Sequence, residues 1–494
     1  MARNLDIGAT LREITEKRAE RLPDTAEFSY WNENRTELIS VSSAQFSEQV
    51  KRLGAWLIKE GFRRKKIAVF GENSYAWILA FFAVTCSGNT AVLLDKNLSS
   101  EALLGMVQFS DCAAVCYSAQ YAPEAESMMD KAPDIAFFRL DELQKLAERE
   151  DAVSDGALRE YENTVVAPDD LAVIAFTSGT SEKSRGVMLS HRNIAFDVAR
   201  SERQFEGSGN SILLLPLYHM FGLMGMLGSI IIGGTVFISQ SLRHIIKDVA
   251  AVRPHFITAV PAMMPSLCQA FKAAGAELGT KIICGGAAGA AAWRHKFEEL
   301  GVRILNGYGM TECSPVIAFT ASEDQHDEGL MRVIDGCSVR INEPDEEGIG
   351  EVLVQGDNVM QGYYKMPEVT RETLHDNWLH TGDLGRLNHE GLLSIVGRKK
   401  NILVLSNGEN VAAEPLEKKL ADIKGVAECT VCVNGGALQA EIYAPNADPK
   451  EITDAVSALN RSLPAYKRIM KTVFRDSEFE KNSLGKIIRK KQID

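Results

Sequence analysis

Residues 171–186, LAVIAFTSGTSEKSRG, decide how the chain reads. The apolar run Leu171–Phe176 predicts a buried strand. Thr177, Ser178, Gly179, Thr180 and Ser181 then break it with hydroxyls and a glycine, and Lys183 and Arg185 add positive charge. Such a loop can offer backbone amides and hydroxyls to phosphate oxygens, although a Ser/Thr/Gly stretch after a strand reads equally well as a plain turn. The GxxxxGK[ST] spacing is absent, which argues against a P-loop kinase or ATPase releasing ADP. Glu182 stands among the donors. A carboxylate turned inward would repel phosphate, so its side chain is expected to face solvent or pair with Lys183 or Arg185.

Outward from this strand, helical and strand patterns alternate. SAQFSEQVKRLGAWLIKEG, SYAWILAFFAVTCSG and SEALLGMVQFS have helical character, whereas KIAVFG, TAVLLD and AAVCYS are short apolar runs. The alternation predicts crossover units and an α/β fold of mostly parallel, covered sheets. After residue 330, GCSVRINEPDEEGIGEVLVQG alternates around an acidic, glycine-containing turn, predicting an antiparallel subdomain. The tail carries its own strand and helix signals, VAECTVCV, LQAEIYA and KEITDAVSALNRSL. The expected division is a large domain over residues 1–398 and a small α+β domain over 399–494.

Composition bounds the function. Over 494 residues the chain is 45% hydrophobic and 24% charged, ordinary values for a globular protein. The net charge of −12, with no basic stripe before the last residues, argues against nucleic acid as a partner. Nine scattered cysteines and no leader-like segment point to a reducing cytoplasm. The lone CxxC at Cys429 and Cys432 lies in an alternating strand that turns the thiols to opposite faces, a structural reading. GLMGMLGSIIIGGTVFIS is long enough to span a membrane, but Gly233 and Gly234 interrupt it. A buried helix, a turn and a core strand are expected instead, with the apolar wall of a substrate pocket as their use.

FTSGTSEKSRGVMLSH resembles the phosphate loop of the adenylate-forming superfamily, which includes acyl-CoA synthetases, adenylation domains of nonribosomal peptide synthetases and luciferases. The family form has Gly, Pro and Lys where this chain has Glu182, Ser184 and Arg185. Further motifs follow in the family's order: KIICGGAAG, NGYGMTECSP, NWLHTGDLG, VGRKKNILVLSNGENV and NSLGKIIRK. The resemblance implies that Gly286 and Ala287 run along adenine and that Tyr308 stacks on it. It further implies that Thr311 binds the α-phosphate, Glu312 ligates Mg²⁺, and Asp383 and Arg398 hold the ribose. Lys400 would be the hinge, Gly408 would lie where a thiol acceptor threads, and Lys486 would be the catalytic lysine.

What the resemblance implies chemically is a two-step reaction. A carboxylate attacks the α-phosphate of ATP to give an acyl-adenylate and pyrophosphate, and a thiol then displaces AMP. The implied co-substrates are ATP with Mg²⁺ and the thiol of CoA or of a carrier-protein phosphopantetheine. An acyl carrier protein is thus a possible partner. PLYHMFG lacks the Asp that amino-acid-activating members keep for the substrate amine, which points to a fatty or aryl acid. His219 and Gly309 are candidates for the acyl pocket, although His219 reads equally well as a packed structural histidine. The rival readings are a stand-alone amino-acid adenylating enzyme and a catalytically silent nucleotide-binding relative.

Overall fold

The computed structural model describes residues 8–177, 184–205, 209–275, 279–286, 293–320, 329–406, 410–481 and 487–489. Of the sequence-predicted positions, Ser178, Gly179, Thr180, Ser181, Glu182, Lys183, Ala287, Gly408 and Lys486 lie outside them.

Leu171–Phe176 forms the predicted strand, inside a sheet of seven strands among the described residues. Thr90–Leu94, Lys66–Phe70, Cys112–Tyr117 and Ala136–Arg139 extend it in parallel on one side. On the other side Gly186–Ser190 folds back antiparallel, followed by the short strand Gly362–Tyr363. The helix Tyr75–Cys86 is buried along its whole length, as expected of an element apolar on every face. Its side chains join one large core with residues from both major sheets, such as Val69, Leu93, Val236 and Ile317.

The second sheet has fourteen strands among the described residues. Arg303–Gly309, Lys281–Cys284, Phe256–Ala259, Ser211–Leu213, Val236–Ile238 and Ala26–Trp31 run parallel, with Leu38–Ser42 antiparallel at the edge. From Arg303–Gly309 the sheet changes sense, and Val316–Thr320, Met331–Val333, Leu393–Arg398, Trp378–Leu387, Gly350–Gln355 and Ser338–Asn342 continue it antiparallel. The antiparallel region expected after residue 330 therefore begins at Val316 and shares a sheet with the parallel strands. The link from Gly309 to Val316 is too short for a crossover, so the chain can only fold straight back.

The long apolar stretch resolves into the helix Met220–Ile231, a turn at Gly233 with φ of +81°, and the core strand Val236–Ile238. No described helix is long and apolar enough to cross a membrane. In the tail, Glu428–Asn434, Ala437–Tyr443 and Lys471–Arg475 form a three-stranded sheet. One core cluster there draws its buried members from Leu403 to Ile469. Cys429 is buried and Cys432 half-buried on the other face, the opposite-facing placement expected of an alternating strand.

One buried charge pair knits the first helix to the second sheet. Arg18, on the helix Leu11–Arg21, donates to Ser43 Oγ at 3.0 Å and to the Gly234 carbonyl at 3.0 Å. Its Nε stands 3.9 Å from the fully buried Glu27, too far for a hydrogen bond. Burial raises the Glu27 carboxyl to about 7, against the opposing charge of Arg18. Below the unfolded carboxyl value both states hold the proton and nothing is lost. Between that value and about 7 the unfolded chain has lost a proton that the folded chain keeps, so stability falls as pH rises, by about 3 kcal/mol in all. Glu27→Gln is expected to flatten the fall in melting temperature between pH 5 and pH 8; parallel melting curves for variant and parent would contradict this.

Candidate active site

The turn between Arg303–Gly309 and Val316–Thr320 presents Thr311 and Glu312 on a single 3₁₀ turn. It is closed by the Met310 amide, which donates to the Pro315 carbonyl at 2.8 Å. Gly309 is needed for that approach, because a Cβ there would stand 1.8 Å from the Pro315 oxygen. Glu312 is 7% exposed. Its carbonyl accepts the Met360 amide at 2.9 Å, and its Oε1 accepts the Tyr363 hydroxyl at 2.8 Å. Burial pushes its carboxyl above the usual carboxylate value, opposed by the Tyr363 hydrogen bond and the charges of Arg398 and Arg185.

Tyr363 also connects this turn to the hydroxyl loop. It lies opposite Val187 in the sheet, and the Arg185 guanidinium sits 5.2 Å from its ring centroid. The Thr177 amide donates to the Arg185 carbonyl at 3.0 Å, so the two ends of the loop are held together at its foot. Thr177, Arg185 and Glu312, far apart in the chain, thus share one neighbourhood.

A second group forms around Asp383, which is 3% exposed and opposite Arg398 in the antiparallel register. The Tyr308 hydroxyl donates to its Oδ2 at 2.9 Å and Arg398 Nε to its Oδ1 at 2.7 Å. Burial, with the Asp383 charge beside it, pushes the Tyr308 phenol well above its usual value, so it remains a donor. Both carboxylate oxygens are engaged, and the acid is held as a fixed acceptor between an aromatic ring and a guanidinium. Beside it lies a cleft of about 370 Å³ lined by Thr381, Gly382, Arg398, Lys399 and Lys400.

Lys400 belongs to this same lining. Burial lowers its pKa, and the charges of Arg398, Arg185 and Arg489 act in the same direction against Asp383. Its neighbour Lys399 pairs with Glu351 Oε2 at 3.1 Å, while Glu351 Oε1 accepts the Gly382 amide at 3.1 Å. Although burial pushes Glu351 up, Lys399 and His380 hold it below the usual carboxylate value.

Gly286 follows the strand Lys281–Cys284 with φ of +82°, a left-handed conformation that suits glycine. A Cβ on the adjacent Gly285 would meet the Phe221 ring at 3.1 Å and the Gly307 carbonyl at 3.4 Å, so the start of the helix Met220–Ile231 packs directly on these strand ends. His219 caps that helix with its ring 4.5 Å from that of Tyr218. Burial lowers its pKa to about 4, with Asp95 opposing, so at neutral pH the ring is uncharged. Sequence reasoning passed over Tyr363, Glu351 and Lys399. The aromatic pair in QGYY at 361–364 was the available signal for Tyr363, but nothing local ties it to Glu312.

Residues 15–364 match the family model of the AMP-binding enzymes, and residues 400–494 match that of the AMP-binding enzyme C-terminal domain. The chain belongs to the AMP-binding enzymes. Among relatives of this AMP-binding enzyme, the long-chain-fatty-acid–CoA ligase of Salmonella typhimurium is 25% identical over 545 residues, covering 99% of this chain and 95% of the ligase. A feruloyl-CoA synthase of an Amycolatopsis species is 28% identical over 407 residues, covering 79% and 80% respectively. The fold matches that of O-succinylbenzoate coenzyme A synthetase from Bacillus subtilis, solved with ATP and magnesium ion, at a TM-score of 0.81 and 24% identity over 96% of this chain and 98% of that one. This AMP-binding enzyme is an ATP-dependent, AMP-forming acid–thiol ligase. Mg²⁺ fits the site: the buried Glu312 carboxylate suits an ion that takes one or two carboxylates and completes its shell with phosphates and waters. Among the described residues no group of three or more His, Cys, Asp or Glu gathers as a dedicated metal cage.

Proposed function

We propose that the enzyme activates a fatty or aryl carboxylic acid and transfers it to CoA, with the two groups around Glu312 and Asp383 forming the nucleotide site. The observation that carries this reading is Asp383, whose carboxylate is held between Tyr308 and Arg398 at 2.9 and 2.7 Å. A carboxylate fixed in this way would accept from ribose hydroxyls, with the Tyr308 ring beside it for adenine. The hydroxyl loop from Thr177 to Arg185, including Ser178, Gly179, Thr180 and Ser181, would hold the departing pyrophosphate, and Gly286 with Ala287 would border adenine. Thr311 would donate to the α-phosphate.

Glu312 would hold Mg²⁺, which when bound supplies positive charge against the phosphates. The chain's own work in the first step is to bring two anions together, which demands donors and cations placed in advance. Lys486 would hold the substrate carboxylate beside the α-phosphate, and Arg185, stacked on Tyr363, would add its charge at the foot of the loop. For the second step the small domain over 399–494 would turn about Lys400, withdrawing Lys486 and bringing Gly408 to the thiol's path. The separate hydrophobic core between Leu403 and Ile469 supports such a unit.

The fatty and feruloyl substrates named for the relatives support the acid class, as does His219, whose ring is uncharged at neutral pH. CoA is preferred over a carrier protein because those relatives are named as CoA ligases and synthases. Free cysteines throughout suit a cytoplasmic setting. ATP–pyrophosphate exchange across fatty, aryl and amino acids tests the reading. Exchange with a fatty or aryl acid is expected; exchange with amino acids alone would overturn the acid class, and exchange with none would favour the silent relative. Thioester formation on a phosphopantetheinylated carrier but not on CoA would overturn the acceptor.

A further inference from the structure

The Glu312 turn is held from behind by a helix that the nucleotide site does not use. On the helix His191–Ser201, Asn193 and Asp197 stand four residues apart and so on one face. Asn193 is buried and donates from Nδ2 to the carbonyls of Asp357 at 2.7 Å and Val359 at 3.0 Å. Asp197 is fully buried and accepts the Val316 amide on Oδ1 at 3.2 Å and on Oδ2 at 3.3 Å. The two segments so held are also tied to each other. Asn358 donates to the Val316 carbonyl at 2.7 Å, and the Ser314 hydroxyl donates to the Asn358 carbonyl at 2.9 Å. Ser314 itself has φ of +70°, in the left-handed region that a serine rarely adopts.

These segments are the ones that bring Glu312 and Tyr363 together. Residues 311–316 carry Glu312, residues 357–363 end in Tyr363, and the Met360 amide reaches the Glu312 carbonyl. We infer that Asp197 is a positioning residue for Glu312: by holding the Val316 amide it fixes the turn on which the metal-binding carboxylate stands. A buried carboxyl is a costly partner for the Val316 amide and the Asn358 side chain unless the position of the turn they hold matters. Burial pushes the Asp197 carboxyl well above its usual value, against the Val316 and Asn358 hydrogen bonds, which is consistent with an acceptor whose charge is not required. The inference rests on the assignment of Glu312 to Mg²⁺.

Calorimetric titration of the full chain with ATP, once with excess Mg²⁺ and once with excess EDTA, tests it. The ratio of the two affinities is the readout, and a merely structural defect would weaken both alike. Asp197→Ala is expected to lower the ratio about tenfold with the EDTA affinity unchanged, and Asp197→Asn, which keeps an acceptor oxygen, to restore it to within about threefold. Ser314→Ala is expected to lower it in the same direction and supplies the answer should Asp197→Ala not fold. An unchanged ratio in the folded variants, or equal loss in both titrations, overturns the inference. Glu312→Gln separates the two ideas: if it leaves the ratio intact, the assignment of Glu312 fails and the inference with it. If Glu312→Gln abolishes the ratio while the Asp197 and Ser314 variants keep it, only the inference fails.

Discussion

Lys486→Ala is expected to lose carboxylate-dependent ATP–pyrophosphate exchange by ~10²–10³-fold while still converting supplied acyl-adenylate and CoA to thioester. The asymmetry follows from the two steps. Joining a carboxylate to the α-phosphate opposes two negative charges, and one removed cation costs about what one removed oxyanion donor costs. In the second step a neutral or weakly charged acyl carbon meets a thiol, and the lysine has no charge to neutralise there. ATP binding should change little, because Tyr308, Asp383 and Arg398 form their group without it. Separate assays of the two half-reactions decide the matter. Full exchange in the variant would remove Lys486 from the mechanism, and equal loss of both half-reactions would make its role structural.

Glu312→Gln is expected to be the second most damaging change, lowering exchange by roughly 10²-fold and raising the Mg²⁺ concentration needed for half-maximal exchange by at least about tenfold. The fold should be retained. Glutamine keeps an oxygen for the Tyr363 hydroxyl, and the Glu312 backbone bond from Met360 does not involve the side chain. A buried carboxylate that gives up its charge also escapes the cost of desolvating it. Exchange titrated against Mg²⁺, with circular dichroism alongside, separates the two effects. An unchanged Mg²⁺ requirement in a folded variant would contradict the metal assignment.

The parts of the site that sequence made legible are those built locally. Thr177 and Arg185 close the foot of their loop because a strand must return after a short excursion. Gly309 could be named as special, but its reason, the Pro315 oxygen 1.8 Å from where a Cβ would be, appears only in three dimensions. Tyr363 meets Glu312 across 51 residues, Lys399 meets Glu351 across 48, and Asp197 meets Val316 across 119. No periodicity carries such pairings, since apolar spacing reports the face a residue shows and not the partner it finds.

The fold shows the same boundary. Alternating helices and strands around residues 43–117 gave the parallel sheet, because crossover helices leave their own pattern between the strands. The point where the second sheet reverses is not legible in the sequence for a related reason. Arg303–Gly309 and Val316–Thr320 are both short strands, and only the brevity of the turn between them distinguishes a hairpin from a crossover. The apolar stretch through Met220–Ile231 is legible as a buried helix because Gly233 and Gly234 limit it before it reaches a spanning length.

The most direct test of the central claim follows the oxygen atoms. With a fatty or aryl acid labelled with oxygen-18 in its carboxylate, plus ATP, Mg²⁺ and CoA, attack on the α-phosphate predicts that each thioester formed is matched by one AMP carrying one oxygen-18 atom, with unlabelled pyrophosphate. Label in inorganic phosphate alongside ADP, or thioester formed with unlabelled AMP, would contradict it.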